Sequence, residues 1–203
     1  MSSTLSLEIE TAAFEAARGD AAFVFFFEDE RPLRGSAGRA DWRLCGWLSA
    51  LLERGRLGGA RGEAALIPTG GGLRAPLLVA LGLGPRGAFD EAAWAGAAAE
   101  VVRRSLALRV GSAVLAPPTA AGRLGLRQRI DGLVQGAAGA LAERPGALLL
   151  RLVASAEEAP RAAELLRGLR PRQLPASVTL RLSPGPDRRL EAGRTPRSTQ
   201  NLT

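Results

Sequence analysis

The sequence predicts a three-layer α/β/α sandwich built on a mixed sheet. Three observations carry that prediction. Short apolar or alternating runs take turns with longer segments of helical periodicity through the second half of the chain, as strand–helix–strand units with right-handed crossovers require. The run Ala21–Phe27 (AAFVFFF) is apolar throughout and rich in aromatics, as a strand covered on both faces must be. Two further strand-like runs are joined only by the glycine-rich TGGGLR, which reads as a hairpin and places an antiparallel pair in the sheet.

Taken in order, Leu5–Ile9 alternates apolar and polar residues like a half-buried strand, and Ala21–Phe27 is the central strand. A helix follows from about Arg39 to Arg54, with Leu44, Trp47, Leu48, Leu51 and Leu52 at helical spacing and Gly55 placed to stop it. Glu63–Pro68 and Ala75–Gly82 form the hairpin. The next helix, Phe89–Leu106, opens on Asp90 and Glu91 and closes on Arg103 and Arg104, signs that suit the helix macrodipole. A strand at Arg109–Ala116 stops at Pro117-Pro118. A helix at Leu126–Glu143 puts Ile130, Leu133, Val134, Ala137 and Leu141 on one face. The strand Ala147–Val153, a helix at Ala156–Leu169 with Leu165, Leu166 and Leu169 inward, and the alternating strand Ser177–Leu182 complete a domain over residues 1–182. Residues 183–203 are Pro, Gly, Arg, Ser and Thr with almost nothing apolar, and are expected to form a disordered tail.

Composition excludes much chemistry. The 203 residues contain no histidine, lysine or tyrosine and one cysteine, Cys45. No imidazole base, lysine Schiff base or His-activated thiol can be assembled, nor a zinc site of His and Cys ligands. One cysteine gives no disulfide framework, which fits a reducing compartment. MSSTLSLEIE lacks the basic and apolar regions of a secretory leader, and runs such as Ala75–Leu83 are too short to span a bilayer. The expectation is a cytoplasmic protein with no membrane partner. All 27 positive charges are arginine, a bias that a GC-rich genome explains. Their distribution is uneven: residues 1–102 carry 10 Arg against 13 acidic residues, and residues 103–203 carry 17 against 7. A net of +10 on the second half could face a nucleic acid, although no aromatic residue follows Trp94 to stack on bases.

Five features invite a site, each with a plain structural alternative. Gly82-Leu83-Gly84-Pro85-Arg86-Gly87 is a G-x-G-x-x-G between strand and helix, where Gly82, Gly84 and Arg86 could cradle a pyrophosphate. Pro85 removes one donor, and no acidic residue ends the next strand to hold a ribose. A strand-to-helix turn is the favoured reading. Gly70, Gly71 and Gly72 could form an anion nest, but no Lys-Ser/Thr follows, and a hairpin turn needing positive φ explains them. Glu28-Asp29-Glu30, just past a strand end, could hold a metal; with no further ligands in sight, a solvated acidic loop is expected. Cys45, in mid-helix, is expected to be a small core residue. Arg188, Arg189, Arg194 and Arg197 could touch a polyanion or simply solubilise the tail. No catalytic residue, metal ligand or cofactor is assigned.

The stretch from Ala22 to Trp94 nevertheless resembles the N-terminal domain of the leucyl aminopeptidase (cytosol aminopeptidase) family. The likeness rests on EDERPLRG after the aromatic strand, ADWRLCGWLSALLERG, GEAALIPTGG, and LLVALGLGPRGAFDEAAW. It implies an α/β sandwich related to the macro domain. It also implies a domain that does no chemistry itself, since catalysis in that family belongs to a larger C-terminal domain. That domain carries an Asn-Thr-Asp-Ala-Glu-Gly-Arg signature and two metal ions held by Asp, Glu and Lys. The signature is absent from this sequence, and so is lysine.

The expected function is therefore a stand-alone, non-catalytic module that binds a protein partner or itself, in a family whose members form hexamers. Two alternatives stand beside it. Some relatives bind duplex DNA, which the arginine-rich half could do. Macro domains recognise ADP-ribose or nucleotides, which the glycine-rich loops could do.

Overall fold

The computed structural model describes residues 3–118, 124–169 and 174–182. Among these residues seven strands form one sheet: β1 (Ser3–Glu10), β2 (Ala21–Phe26), β3 (Ala64–Pro68), β4 (Leu77–Gly82), β5 (Ser112–Leu115), β6 (Ala147–Val153) and β7 (Val178–Leu182). Their spatial order is β3-β4-β2-β5-β6-β1-β7. Every neighbouring pair is parallel except β3 with β4, which is antiparallel. The hairpin that TGGGLR announces is thus the one antiparallel element among the described residues, and it forms one edge of the sheet.

Strand β2 shows why the sheet is covered on both sides. Phe23 and Phe25, with Phe27 beyond the strand end, face helices α3 (Glu91–Leu108), α4 (Leu126–Glu143) and α5 (Ala159–Arg167). Ala22, Val24 and Phe26 face a short 3-10 turn at Phe14–Ala16 and helices α1 (Gly35–Arg43) and α2 (Trp47–Glu53). Two cores therefore sit back to back, separated by the alternation of side chains along each strand. The larger one is anchored by Trp94, fully buried, edge-on to Phe25 at 5.3 Å and donating its indole N–H to the Arg129 carbonyl. A buried indole with its donor satisfied contributes both area and direction.

Several boundaries differ from the sequence expectation by a few residues, and one helix is divided. The single helix 39–54 is two helices, α1 starting earlier at Gly35 and α2 ending at Glu53, broken at Cys45 (φ 54°) and Gly46 (φ 79°). Apolar spacing alone ran across the break because Leu44 and Leu48 still lie four residues apart. Gly55 does stop α2, with φ 61° and Arg56 N–H bonded back to the Leu51 carbonyl. Strand β5 is shorter than 109–116. Arg109 instead caps α3 in the left-handed region (φ 57°), and the Val110 N–H returns to the Ser105 carbonyl. The Asp20 carboxylate then accepts from the N–H groups of Gly111 and Ser112, which fixes where β5 begins. Helix α5 starts at Ala159, not Ala156. The expected disordered tail 183–203, with Arg188, Arg189, Arg194 and Arg197, lies outside the described residues. None of the helices among the described residues is long and apolar enough to cross a membrane.

Candidate docking surface

The two glycine-rich loops lie at opposite ends of β4. At about 3.3 Å per residue the strand separates them by roughly 17 Å, so they do not converge on one ligand. Gly70 and Gly71 have φ of 55° and 88°, and the Gly72 N–H closes the turn on the Thr69 carbonyl at 2.8 Å. Positive φ at both central residues is the requirement of a type I′ turn, which glycine meets without strain. The Thr69 hydroxyl donates to the Ala75 carbonyl and holds the loop closed.

At the other end, the backbone donors from Gly82 to Arg86 in the G-x-G-x-x-G segment already have acceptors inside the protein. Gly82 N–H bonds the Glu63 carbonyl, Leu83 N–H the Phe26 carbonyl and Gly84 N–H the Gly59 carbonyl. Pro85 has none, and Arg86 N–H bonds the Asp29 carboxylate at 2.9 Å. Gly82 is glycine because its neighbours leave no room: a β-carbon there would lie 2.3 Å from the Ala60 carbonyl oxygen. The segment is wired as a strand-to-helix turn, with a carboxylate where an anion would have to sit.

The acidic trio past β2 is not uniformly solvated. Glu28 and Asp29 are exposed, but Glu30 is buried. The Arg31 guanidinium bonds the carbonyls of Phe27, Glu30 and Gly58, so this loop is pulled onto the loop before β3. There a feature unmarked by any motif appears. The N–H groups of Gly58, Gly59 and Ala60 all converge on the Glu63 carboxylate at 2.7–3.1 Å. Partial burial opposes the charged form of Glu63. Donation from the Gly59, Gly58 and Ala60 amides outweighs it and holds the carboxyl below its ordinary value. The Gly-Gly pair ahead of a glutamate was the signal in the sequence. Among the described residues no group of three or more His, Cys, Asp or Glu side chains is placed to hold a metal ion.

The most unusual surface is the elbow between α1 and α2. The sequence contains nine aromatic residues, six Phe and three Trp. All six phenylalanines and Trp94 are buried, whereas Trp42 is 77 % and Trp47 58 % exposed. Cys45, between them, is exposed too, contrary to the expectation of a core residue. The cause is the break itself. A mid-helix Cys would continue the face of Ala37 and Ala40, but the left-handed turn at Cys45-Gly46 rotates it outward and leaves only Leu48 of α2 fully buried. The elbow is not loose. Asp41 accepts from both the Ser49 N–H (3.0 Å) and the Ser49 hydroxyl, and the Gly46 N–H bonds the Asp41 carbonyl at 2.8 Å. Asp41 thereby serves as the N-terminal cap that Gly46, lacking a side chain, cannot provide. Arg43 extends from the same turn, its guanidinium carbon 6.0 Å from the Trp42 ring centre.

Comparison with known proteins agrees with this architecture. Residues 23–141 match the model of the cytosol aminopeptidase family, N-terminal domain. A probable cytosol aminopeptidase of Sulfurihydrogenibium sp. (strain YO3AOP1) is 23% identical over 111 residues, which are 55% of this chain and 22% of that relative. The chain thus spans about a fifth of the length of the curated relative it matches. Among solved structures, a tomato leucine aminopeptidase variant aligns with a TM-score of 0.61 at 15% identity, over 80% of this chain and 35% of that one. A macrodomain variant of Oceanobacillus iheyensis aligns at 0.62 with 12% identity, over 79% and 90%. At such identities the two structures establish a shared macro-like α/β fold. The family match covers more than half of the sequence and takes in the aromatic strand, the elbow, the hairpin and the first two helices of the larger core. The chain belongs to the cytosol aminopeptidase family, through that family's N-terminal domain.

Proposed function

We propose that this chain is a non-catalytic binding module that docks a protein surface through Trp42 and Trp47 on the α1–α2 elbow. One observation carries this reading: of nine aromatic side chains, seven are buried and the two that are not flank a single hydrogen-bonded break. Isolated exposed apolar residues are ordinary, but tryptophan is the residue most enriched at interface hot spots, where its large ring is desolvated. A rigid elbow also lowers the ordering cost of docking. Absence of catalysis is supported by the side-chain inventory, which holds no histidine, lysine or tyrosine, and by a family match confined to the N-terminal domain.

The two alternatives gain less support. Arg103, Arg104, Arg127, Arg129 and Arg151, all in the basic half, are paired with carboxylates and so are compromised as phosphate ligands. The backbone donors that a nucleotide would need at Gly82–Arg86 are already used. The test is affinity capture from the source cells, together with sedimentation of the purified chain, using wild type and the Trp42→Ala/Trp47→Ala double variant. Wild type retains a defined protein, or a second copy of itself, that the variant loses at unchanged melting temperature. Equal behaviour of the two proteins contradicts the reading.

A further inference from the structure

On the opposite side of the sheet from the elbow, a half-open cavity of about 400 Å³ lies between the end of β4 and the first turns of α3. That volume is within the range of small-molecule sites. Its floor is apolar and buried, made by Leu81 and Leu83 of the sheet and by Ala93 and Ala97 of α3. The space exists because α3 presents small residues here. Gly96 faces the opening, and a β-carbon on it would meet nothing within 4 Å.

Three charged groups line the cavity: Arg61, Arg103 and Glu100. Arg103 is shared between Glu100 at 3.1 Å and Glu143 at 3.0 Å, and Glu100 also holds Arg104 at 3.2 Å. Arg61 is different. Among the described residues its guanidinium bonds only the Ala88 carbonyl, at 3.3 Å, and has no carboxylate partner. Two guanidinium groups against one carboxylate leave the lining with a net charge of +1, and that charge resides on Arg61. An apolar cavity with one uncompensated cation at its mouth complements a single negative charge on an apolar body. A dianion is disfavoured because Glu100 lines the same space. A planar guanidinium fork matches a carboxylate with two parallel hydrogen bonds.

We infer that this cavity binds a small monocarboxylate with an aliphatic or aromatic body, its carboxylate on Arg61 and its body over Leu81, Leu83 and Gly96. This site is independent of the tryptophan elbow. The neighbouring surface extends the same chemistry along α3. A smaller cavity of about 180 Å³ is lined by Leu66, Val79, Ala107 and Leu108, with Arg104 at its edge, and gives a longer body somewhere to go.

Titration calorimetry of the whole chain with octanoate, naphthoate, octanol and octylammonium tests the assignment. Octanoate or naphthoate is expected to bind saturably at one site, octanol more weakly and octylammonium not at all. Arg61→Gln should weaken the carboxylate by roughly tenfold, the effect of losing one hydrogen bond to a charged group. Gly96→Leu should fill the space and abolish binding, with a melting temperature no lower than wild type. Should Gly96→Leu fail to fold, amide shift mapping on the wild-type protein still decides, since octanoate must perturb residues 81–83 and 92–97. Absence of saturable binding by both carboxylates, equal binding of octylammonium, indifference to Arg61→Gln, or shifts confined to another surface each overturn the inference.

Discussion

Gly136 of α4 rests directly on the Ala95 carbonyl of α3: a β-carbon at Gly136 would stand 1.9 Å from that oxygen. One turn earlier on α4, a β-carbon at Gly132 would stand 2.9 Å from the Trp94 ring. The two long helices therefore meet through glycines four residues apart, which lets Trp94 reach the Arg129 carbonyl. Overpacking a contact this tight forces backbone shifts costing about 1–3 kcal/mol, with this site at or above the upper end. Gly136→Ala should lower the urea midpoint accordingly. Gly139→Ala, at a site where an added β-carbon meets nothing, should leave stability unchanged or raise it by about 0.5–1 kcal/mol through helix propensity. Similar midpoints for the two variants would contradict the packing described.

Asp41→Ala removes the cap of α2. Loss of a side-chain cap costs about 1 kcal/mol. The cost here should appear as lower stability and as faster amide exchange at Ser49, whose N–H loses its acceptor. Ser49→Ala should produce a smaller loss, since the backbone N–H of residue 49 keeps its bond to Asp41.

Glu63 makes stability depend on pH. Its folded-state pKa lies below the ordinary 4.5, so the charged form is favoured by folding. That contribution is fully present above the unfolded value and is lost as pH falls through the folded one. Wild type should therefore be more stable than Glu63→Gln at neutral pH, and the gap should narrow as the solution is acidified below about 4.5. A gap that is constant with pH would show that the amides of residues 58–60 do not discriminate in favour of the carboxylate.

Cys45 should react with a maleimide in the native state at a rate close to that of the unfolded chain, because its side chain is exposed at the helix break. Protection of the thiol until denaturant is added would place it in the core and remove the break.

The contrast between legible and illegible parts of this molecule has physical causes. Elements with one clear period were readable. Leu126–Glu143 and Ala147–Val153 occur as expected because each buries a full face, and AAFVFFF is central because nothing polar interrupts it. The hairpin followed from glycines that only a turn with positive φ requires. The elbow was not readable, since Leu44, Leu48 and Leu51 keep helical spacing across a break made by Cys45 and Gly46. The outward direction of Trp42 and Trp47 follows from that break, so counting Trp47 among the apolar positions of one helix misassigned it. The Glu63 nest is local, spanning residues 58–63, and its only sequence signal is the Gly58-Gly59 pair ahead of the glutamate. The Arg61 cavity joins segments distant in sequence, and local pattern carries no trace of it.

Tryptophan emission tests the central claim most directly, because Trp94 is buried throughout and only Trp42 and Trp47 can change environment. Adding the captured partner, or raising concentration if the chain pairs with itself, should shift the emission to shorter wavelength as the exposed rings leave water. The Trp42→Ala/Trp47→Ala variant should show no shift and no complex. A complex that forms with wild-type affinity while the emission of Trp42 and Trp47 stays at its solvent-exposed value would contradict the account.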